Sequence, residues 1–286
     1  MLNITDTVRK LQRSVERSWN LFGLSHEGNE TAESITPSVR GAMKRAWTQE
    51  ERGWIDRIER LRAEMNASSA PLTRTDYGAG SPESHWTPEQ MAAGVETADT
   101  VGRISRVASK PPFWCGLLFE LIRTVHPTSC IEMGTAVGIS AAYQGAALRL
   151  NGDGGLVTLE GATSLAKIAA DNLQELGLET VDVVVGRFQD TLPGVLATRQ
   201  PVDYVFVDGH HDERATIDYF RQILPFLADV ALVVFDDIAW SDGMKRAWRR
   251  IARHESVEAA VDLGPVGVCV IDRAAAAHRY FRIPLN

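Results

Sequence analysis

Acidic side chains follow two of the most apolar runs in the chain. Asp208 ends the run at residues 202–207, and Asp236 and Asp237 follow residues 231–235. If these runs are neighbouring parallel strands, about 4.8 Å apart, the three carboxylates converge at one edge of a sheet. Three hard oxygen ligands suit Mg²⁺, which would hold a substrate oxygen and lower its pKa. In the alternative interpretation, Asp208 contacts a cofactor and Asp237 caps the following helix.

Two adjacent histidines, His210 and His211, come directly after Asp208. Imidazole titrates near neutral pH and can accept a hydroxyl proton. His211 is therefore predicted to be the catalytic base, together with Asp208. His210 is assigned to the cofactor site, with the alternative that one histidine of the pair only closes the loop by hydrogen bonding.

A glycine-rich loop follows an apolar run at residues 130–133. Such a loop between a strand and a helix lets backbone N–H groups approach a ligand closely. Dinucleotide enzymes usually have G-x-G-x-x-G, whereas this chain has Gly134-x-x-x-Gly138 with Ala136 between. Glu132 would repel a pyrophosphate but suits a cationic ligand, such as S-adenosylmethionine (SAM). We therefore assign Glu132, Gly134, Thr135, Gly138 and Ser140 to the cofactor site, and a dinucleotide oxidoreductase is the disfavoured alternative.

Further candidates follow the next apolar runs. Glu160 lies 28 residues after Glu132, where a carboxylate can accept both hydroxyls of a ribose, or can simply occupy a helix N-terminus. Gly161 follows Glu160 directly, Arg187 comes after the next apolar run, and both are assigned to the cofactor site. Phe188, also assigned there, either lies against an adenine ring or packs in the core. The substrate-side candidates are Tyr77, which lies beside glycines, and Trp240.

The order of elements indicates how these residues are positioned. From residue 130 onward, near-continuous apolar strands alternate with helices, which predicts a parallel sheet covered on both faces. Residues 257–262 and 267–272 are strands joined by a connection too short for a crossover helix, so they must pair antiparallel. The fold class is therefore α/β.

The N-terminal part has a different pattern. Residues 4–22 predict an amphipathic helix, and Thr36 begins a second, longer one. The two helices pack on the catalytic domain, form a dimer contact or close as a lid. Residues 67–88 resemble a linker, followed by a helix over residues 88–109. The predicted organisation is a helical segment at residues 1–66, a linker and connecting helix at residues 67–110, and a catalytic domain at residues 111–286.

Composition limits the possible partners and location. A formal net charge of -7 argues against nucleic acid and favours a small-molecule substrate. No apolar run approaches the ~20 residues that span a bilayer, and the N-terminus lacks a signal-peptide core, which predicts a cytoplasmic protein. Three cysteines lie in apolar runs without metal-ligand spacing and are expected to be reduced core residues: Cys115, Cys130 and Cys269.

Four motifs together resemble bacterial class I SAM-dependent methyltransferases, in particular a branch related to small-molecule O-methyltransferases. They are Glu132-Met-Gly-Thr-Ala-Val-Gly-Ile-Ser, Thr158-Leu-Glu-Gly, Val207-Asp-Gly-His-His and Phe235-Asp-Asp-Ile-Ala-Trp-Ser-Asp-Gly-Met-Lys-Arg-Ala-Trp. The resemblance covers about residues 76–272. It implies a Rossmann-like sheet of seven strands, the last one antiparallel, with an N-terminal helical extension.

The resemblance also implies O-methylation of a small-molecule hydroxyl with SAM, assisted by a divalent metal. Macrolide-sugar O-methyltransferases are similar in using acid pairs around magnesium, which makes Asp208, Asp236 and Asp237 the metal candidates. Catechol-type relatives instead have Asp-Asn after the fifth strand, where this chain has Asp236-Asp237. Many relatives have Gly at the position of Ala136.

Three alternatives to this function remain. A metal-independent N- or C-methyltransferase would share the cofactor site. A non-catalytic binding or scaffold protein would use the helix that carries Trp47 and Trp54 as an interface. A homodimer through the N-terminal helices is compatible with each of them.

Overall fold

The computed structural model describes residues 18, 20–26, 28, 30–78, 86–274 and 278–285. Most of the helix predicted over residues 4–22 lies outside this part. The elements before the glycine loop are helices α1 (Glu30–Lys44) and α2 (Gln49–Ala67), strand β1 (Pro71–Asp76), helix α3 (Pro88–Ala93), strand β2 (Val95–Thr100), and helices α4 (Val101–Ala108) and α5 (Pro112–Val125).

Two predictions for this region are wrong. The helix expected from Thr36 onward is two helices, because Arg45 has φ 49° and Thr48 starts α2 with a capping box. The single helix expected over residues 88–109 is interrupted between α3 and α4 by β2, which pairs with β1 of the expected linker in a two-stranded antiparallel sheet where Pro71 lies opposite Thr100. Gly94, with φ 78°, ends α3 and turns the chain into β2.

From residue 129 onward strands and helices alternate, as predicted. The elements are β3 (Ser129–Met133), α6 (Ile139–Asn151), β4 (Gly155–Glu160), α7 (Thr163–Leu176), β5 (Val181–Val185), α8 (Phe188–Arg199), β6 (Val202–Val207), α9 (Glu213–Ile223), β7 (Leu227–Phe235), α10 (Asp242–Ile251), β8 (Val257–Asp262), β9 (Gly267–Asp272) and β10 (Arg279–Arg282).

These strands form one eight-stranded sheet in the order β10-β8-β9-β7-β6-β3-β4-β5. Strand β9 runs antiparallel to β7 and β8, and the other pairs are parallel. This confirms the predicted parallel sheet and hairpin, and β10 adds an eighth strand at the edge. The strand order reverses between β3 and β6, and ligands of open α/β sheets bind at the carboxyl ends of strands on either side of such a reversal.

The N-terminal helices pack on the part of the chain that contains the large sheet. Helix α1 lies against α5, and α2 against α4 and α6. Buried apolar side chains of α1 and α2, including Val39 and Ile58, belong to the same core cluster as Phe119 and Tyr143. The three cysteines are free and buried, as predicted. Helix α2 is thereby fixed against the helices that flank β3.

Candidate active site

A cavity of about 910 Å³ lies at the carboxyl ends of β3, β4, β6 and β7. The opposite wall comes from β1, β2, α4 and the segment that follows α4. The lining includes most of the site residues predicted from the sequence: Tyr77, Gly134, Glu160, Gly161, Arg187, Phe188, Asp208, His210, His211, Asp236, Asp237 and Trp240. The structure thus brings residues from widely separated parts of the chain around one space.

The glycine loop packs directly on the end of β6. Gly134 has φ 107°, and a Cβ built on it would lie 1.8 Å from the carbonyl oxygen of Asp208. Only glycine fits this close approach of two backbone segments. Gly134 lines the cavity, whereas three other predicted cofactor residues, Thr135, Gly138 and Ser140, lie behind the lining. Thr135 is buried there, with its hydroxyl 2.6 Å from that of Thr158.

Glu132 also lies behind the cavity wall. It is fully buried, and its two carboxylate oxygens accept hydrogen bonds from Gln144 Nε2 (2.7 Å) and Thr158 Oγ1 (2.6 Å). Burial raises the pKa of Glu132 to about 7, although these hydrogen bonds oppose the shift. In this geometry Glu132 supports the loop from behind, and a direct contact with a cationic ligand stays a prediction.

The raised pKa predicts that the pH dependence of stability changes in Glu132→Gln. Between pH 4.5 and 7 native Glu132 binds more protons than the unfolded chain, so its contribution to the free energy of unfolding falls as pH rises. Across this window the contribution of Glu132 to the free energy of unfolding falls by roughly 3 kcal/mol. Urea unfolding should therefore show that the variant gains stability relative to wild type by this order as pH rises from 4.5 to 7. Glu175→Gln, at an exposed position, should show no such trend.

Glu160 is held at the end of β4 with its carboxylate at the cavity. Its Oε2 accepts from Ala136 N (2.8 Å) and its Oε1 from Ala162 N (2.9 Å). Burial raises its pKa, and the two backbone N–H groups partly offset this effect. Each oxygen keeps a lone pair that can accept from a ligand hydroxyl. This geometry is compatible with binding of both ribose hydroxyls.

Tyr77 lies beside Glu160. A Cβ built on Gly161 would lie 2.8 Å from the Tyr77 ring, so the ring covers this glycine. The Arg74–Asp76 ion pair (2.7 Å) precedes it on β1. The structure therefore places Tyr77 beside Gly161 and Glu160, and Trp240, the other predicted substrate-side residue, lines the same cavity.

The aromatic wall is formed near the start of α8. Phe188 packs edge-on against Tyr219, with ring centroids 5.9 Å apart, and lies close to Gly209. His210 Nδ1 is 2.7 Å from the Tyr219 hydroxyl, and burial lowers the pKa of His210, which favours the neutral imidazole. Arg187 lines the same region and pairs with Asp190 at 2.6 Å. His210 lines the cavity, and its assignment to the cofactor site and the loop-closing alternative both stay predictions.

Two of the three aspartates, Asp208 and Asp236, lie beside a cation that the sequence did not predict. Lys110 Nζ contacts Asp236 Oδ2 and lies 4.0 Å from Asp208 Oδ2. His211 lies on the other side, with Nε2 3.8 Å from Asp208 Oδ1 and Nδ1 3.7 Å from Asp237 Oδ2. Burial raises the pKa of Asp208, while Lys110 and His211 act against this shift. In the sequence, Lys110 precedes Pro111 and Pro112, a pattern that indicates a helix boundary.

This arrangement does not fit a divalent metal ion. Asp236 is 2% exposed, the Lys110 ammonium lies against its Oδ2, and its Oδ1 has no hydrogen-bond partner among the described residues. Among the described residues, no group of three or more His, Cys, Asp or Glu side chains is placed to hold a metal. A metal at the aspartates would have to displace Lys110, so we derive no catalytic step through one.

Backbone strain is concentrated at this edge of the sheet. Ala136, His210, His211 and Asp237 have φ of 49°, 68°, 44° and 51°, in the left-handed region that side chains other than glycine rarely adopt. Strained non-glycine residues persist only where the surrounding structure holds them, and they cluster at functional sites. The strained residues therefore indicate that the active site lies at this edge of the sheet.

Comparison with known proteins agrees with this location. Residues 131–238 match the family model of a methyltransferase domain. No curated protein matches the chain significantly. The O-methyltransferase from Bacillus cereus in complex with SAH is similar, with 22% identity and a TM-score of 0.51 over 58% of this chain and 83% of that chain.

Two further solved structures are slightly more similar in sequence. Cofactor-bound Rv0187 from MTB has 25% identity and a TM-score of 0.51, over 59% of this chain and 84% of that chain. The third structure is TomG from Streptomyces achromogenes, an O-methyltransferase involved in tomaymycin synthesis, in complex with SAM. It has 26% identity and a TM-score of 0.50, over 58% of this chain and 82% of that chain. Residues 131–238 thus match a methyltransferase domain, and the predicted class I methyltransferase fold is confirmed. None of the described helices is both long and apolar enough to cross a membrane.

Proposed function

We propose that the protein transfers the methyl group of SAM to a hydroxyl group of a small molecule. This proposal rests on the cavity itself, which is lined by Glu160 and by His211. In the proposal, Glu160 accepts hydrogen bonds from the ribose of SAM, and His211, at the other end, accepts the proton of the substrate hydroxyl. Two of the similar structures, Rv0187 and TomG, hold a cofactor or SAM. When bound, SAM supplies an electrophilic methyl group on a sulfonium.

The residues of the chain have separate roles in this proposal. Glu160 accepts the ribose hydroxyls, Phe188 lies against the adenine, and the backbone at Gly134 approaches the amino-acid end. Tyr77 covers Gly161 and shields the ribose from solvent. Trp240, which is 40% exposed beside His211, contacts the acceptor.

At the other end of the cavity, His211 is the base. Its ring nitrogens lie 3.8 Å from Asp208 and 3.7 Å from Asp237, which orient the ring and stabilise the imidazolium that forms. The acceptor oxygen attacks the methyl carbon while the carbon–sulfur bond breaks toward sulfur, and His211 takes the hydroxyl proton. The products are a methyl ether, neutral S-adenosylhomocysteine (SAH) and protonated His211. Positioning of the two reactants supplies much of the acceleration.

Calorimetric titration of chelator-treated protein with SAH tests the cofactor assignment. We expect one site with micromolar affinity, and no binding of NADH at the same concentrations because the loop lacks the dinucleotide spacing. Tight NADH binding without SAH binding would instead support the oxidoreductase alternative. The cytoplasmic location and the homodimer stay predictions.

A further inference from the structure

A lysine ammonium lies where the sequence predicted a divalent ion. Lys110 lines the cavity, contacts Asp236 and lies 4.0 Å from Asp208, and its side chain is only 12% exposed. We infer that Lys110 is the built-in cation of this active site and makes methyl transfer independent of a divalent metal. The inference rests on the proposed function, because the cation acts on the methyl acceptor.

The charges explain why one cation excludes the other. Asp236 is 2% exposed, and a carboxylate buried to this extent needs a positive partner. Mg²⁺ binds oxygen ligands at about 2.0–2.1 Å, so it would occupy the space that the ammonium now fills. Two cations this close repel each other strongly where water is largely excluded. Asp208 and Asp236 can therefore serve Lys110 or a metal ion, but not both together.

The backbone of Lys110 is anchored by one residue of α2 and one of α5. Its carbonyl oxygen accepts hydrogen bonds from Arg62 Nη1 (2.7 Å) and Cys115 Sγ (3.3 Å). Arg62 belongs to α2, is 8% exposed and pairs with Glu59 at 2.9 Å. Glu59 in turn accepts from the Tyr143 hydroxyl at 2.8 Å, which ties α2 to α6. In this interpretation α2 is a positioning element of the active site.

The ammonium has the right chemistry for the acceptor oxygen. It carries three N–H donors, and Asp208 and Asp236 account for two directions. A third donor directed into the cavity can bind the acceptor oxygen and stabilise the negative charge that develops on it as His211 removes its proton. Lys110 keeps its own proton throughout, since the hydroxyl proton passes to His211. The fixed charge thus replaces the role expected of Mg²⁺.

Mn²⁺ titration followed by electron paramagnetic resonance tests the inference without any acceptor. Lys110→Ala removes the cation but leaves the three aspartates, so we expect it to bind Mn²⁺ at least tenfold more tightly than wild type. Lys110→Arg keeps the charge and should resemble wild type. The matched control is Lys167→Ala, which removes a surface lysine paired with Asp171 and should also resemble wild type.

Two results would overturn the inference. One is micromolar Mn²⁺ binding by the wild-type protein, and the other is no gain in Mn²⁺ affinity in Lys110→Ala. If that variant unfolds, Lys110→Met, which keeps the apolar stem, takes its place. SAH titration of the same proteins tests the proposed function separately, and their affinities for SAH are expected to agree within about threefold. A failure of the Lys110 inference can therefore be distinguished from a failure of the proposed function.

Discussion

Gly134→Ala is expected to lose SAH binding and several kcal/mol of stability. The new Cβ would lie 1.8 Å from the Asp208 carbonyl oxygen, and both groups belong to backbone that cannot move without separating β3 from β6. The φ of 107° adds strain for any side chain. Urea unfolding and calorimetry with SAH measure the two effects.

Gly177→Ala is the matched control for this substitution. Gly177 also has a positive φ, 71°, but a Cβ there would meet no atom within 4 Å. Its cost should be limited to backbone strain, about 1 kcal/mol, with SAH binding retained. If Gly134→Ala were no more destabilising than Gly177→Ala and still bound SAH, the close packing of the loop on β6 would not be what forms the site.

Glu160→Gln is expected to weaken SAH binding by about 10-fold to 100-fold. The carboxylate would accept two charge-assisted hydrogen bonds from the ribose, and bonds of this kind contribute about 1.5–3 kcal/mol each. The amide keeps the shape but loses the charge and one acceptor. Calorimetry with SAH measures the loss of affinity. The control is Glu213→Gln, which changes an acid of α9 that pairs with Arg246.

Deoxyribose analogues of SAH show whether the loss arises at the ribose. Wild type should bind the 2′-deoxy and 3′-deoxy analogues more weakly than SAH, whereas Glu160→Gln should discriminate much less. Equal discrimination by both proteins would mean that Glu160 acts through the loop, by its hydrogen bonds to Ala136 and Ala162, and does not contact the ribose.

The sheet and its ligand-binding edge could be predicted because their signals are local. Buried parallel strands need continuous apolar runs, and the acids at the ends of β4, β6 and β7 lie at the same edge. The glycine spacing and Glu160 could be placed for the same reason. Glu132 has the same local signal, but the sequence does not reveal that Gln144 and Thr158 satisfy its oxygens behind the loop.

The hairpin of β1 and β2 and the role of Lys110 depend on tertiary contacts. Residues 95–100 have a polar, mixed pattern that becomes a strand only by pairing with residues 71–76. Lys110 is far from the aspartates in sequence, and the nearby prolines give a stronger signal for a helix boundary than for a site. The sequence offers one signal for a role of Lys110 in the site. It is a lysine without an acidic partner close in sequence, and it precedes the helix that leads into β3.

The position of bound SAH in a crystal grown with Mn²⁺ tests the central claim most directly. We predict that the ribose lies within hydrogen-bond distance of Glu160, that the sulfur faces the cluster of Lys110, Asp208 and His211, and that no anomalous Mn²⁺ signal appears at Asp236. SAH bound elsewhere would contradict the assigned site. An Mn²⁺ ion on Asp208 and Asp236 with Lys110 displaced would contradict the metal-free mechanism.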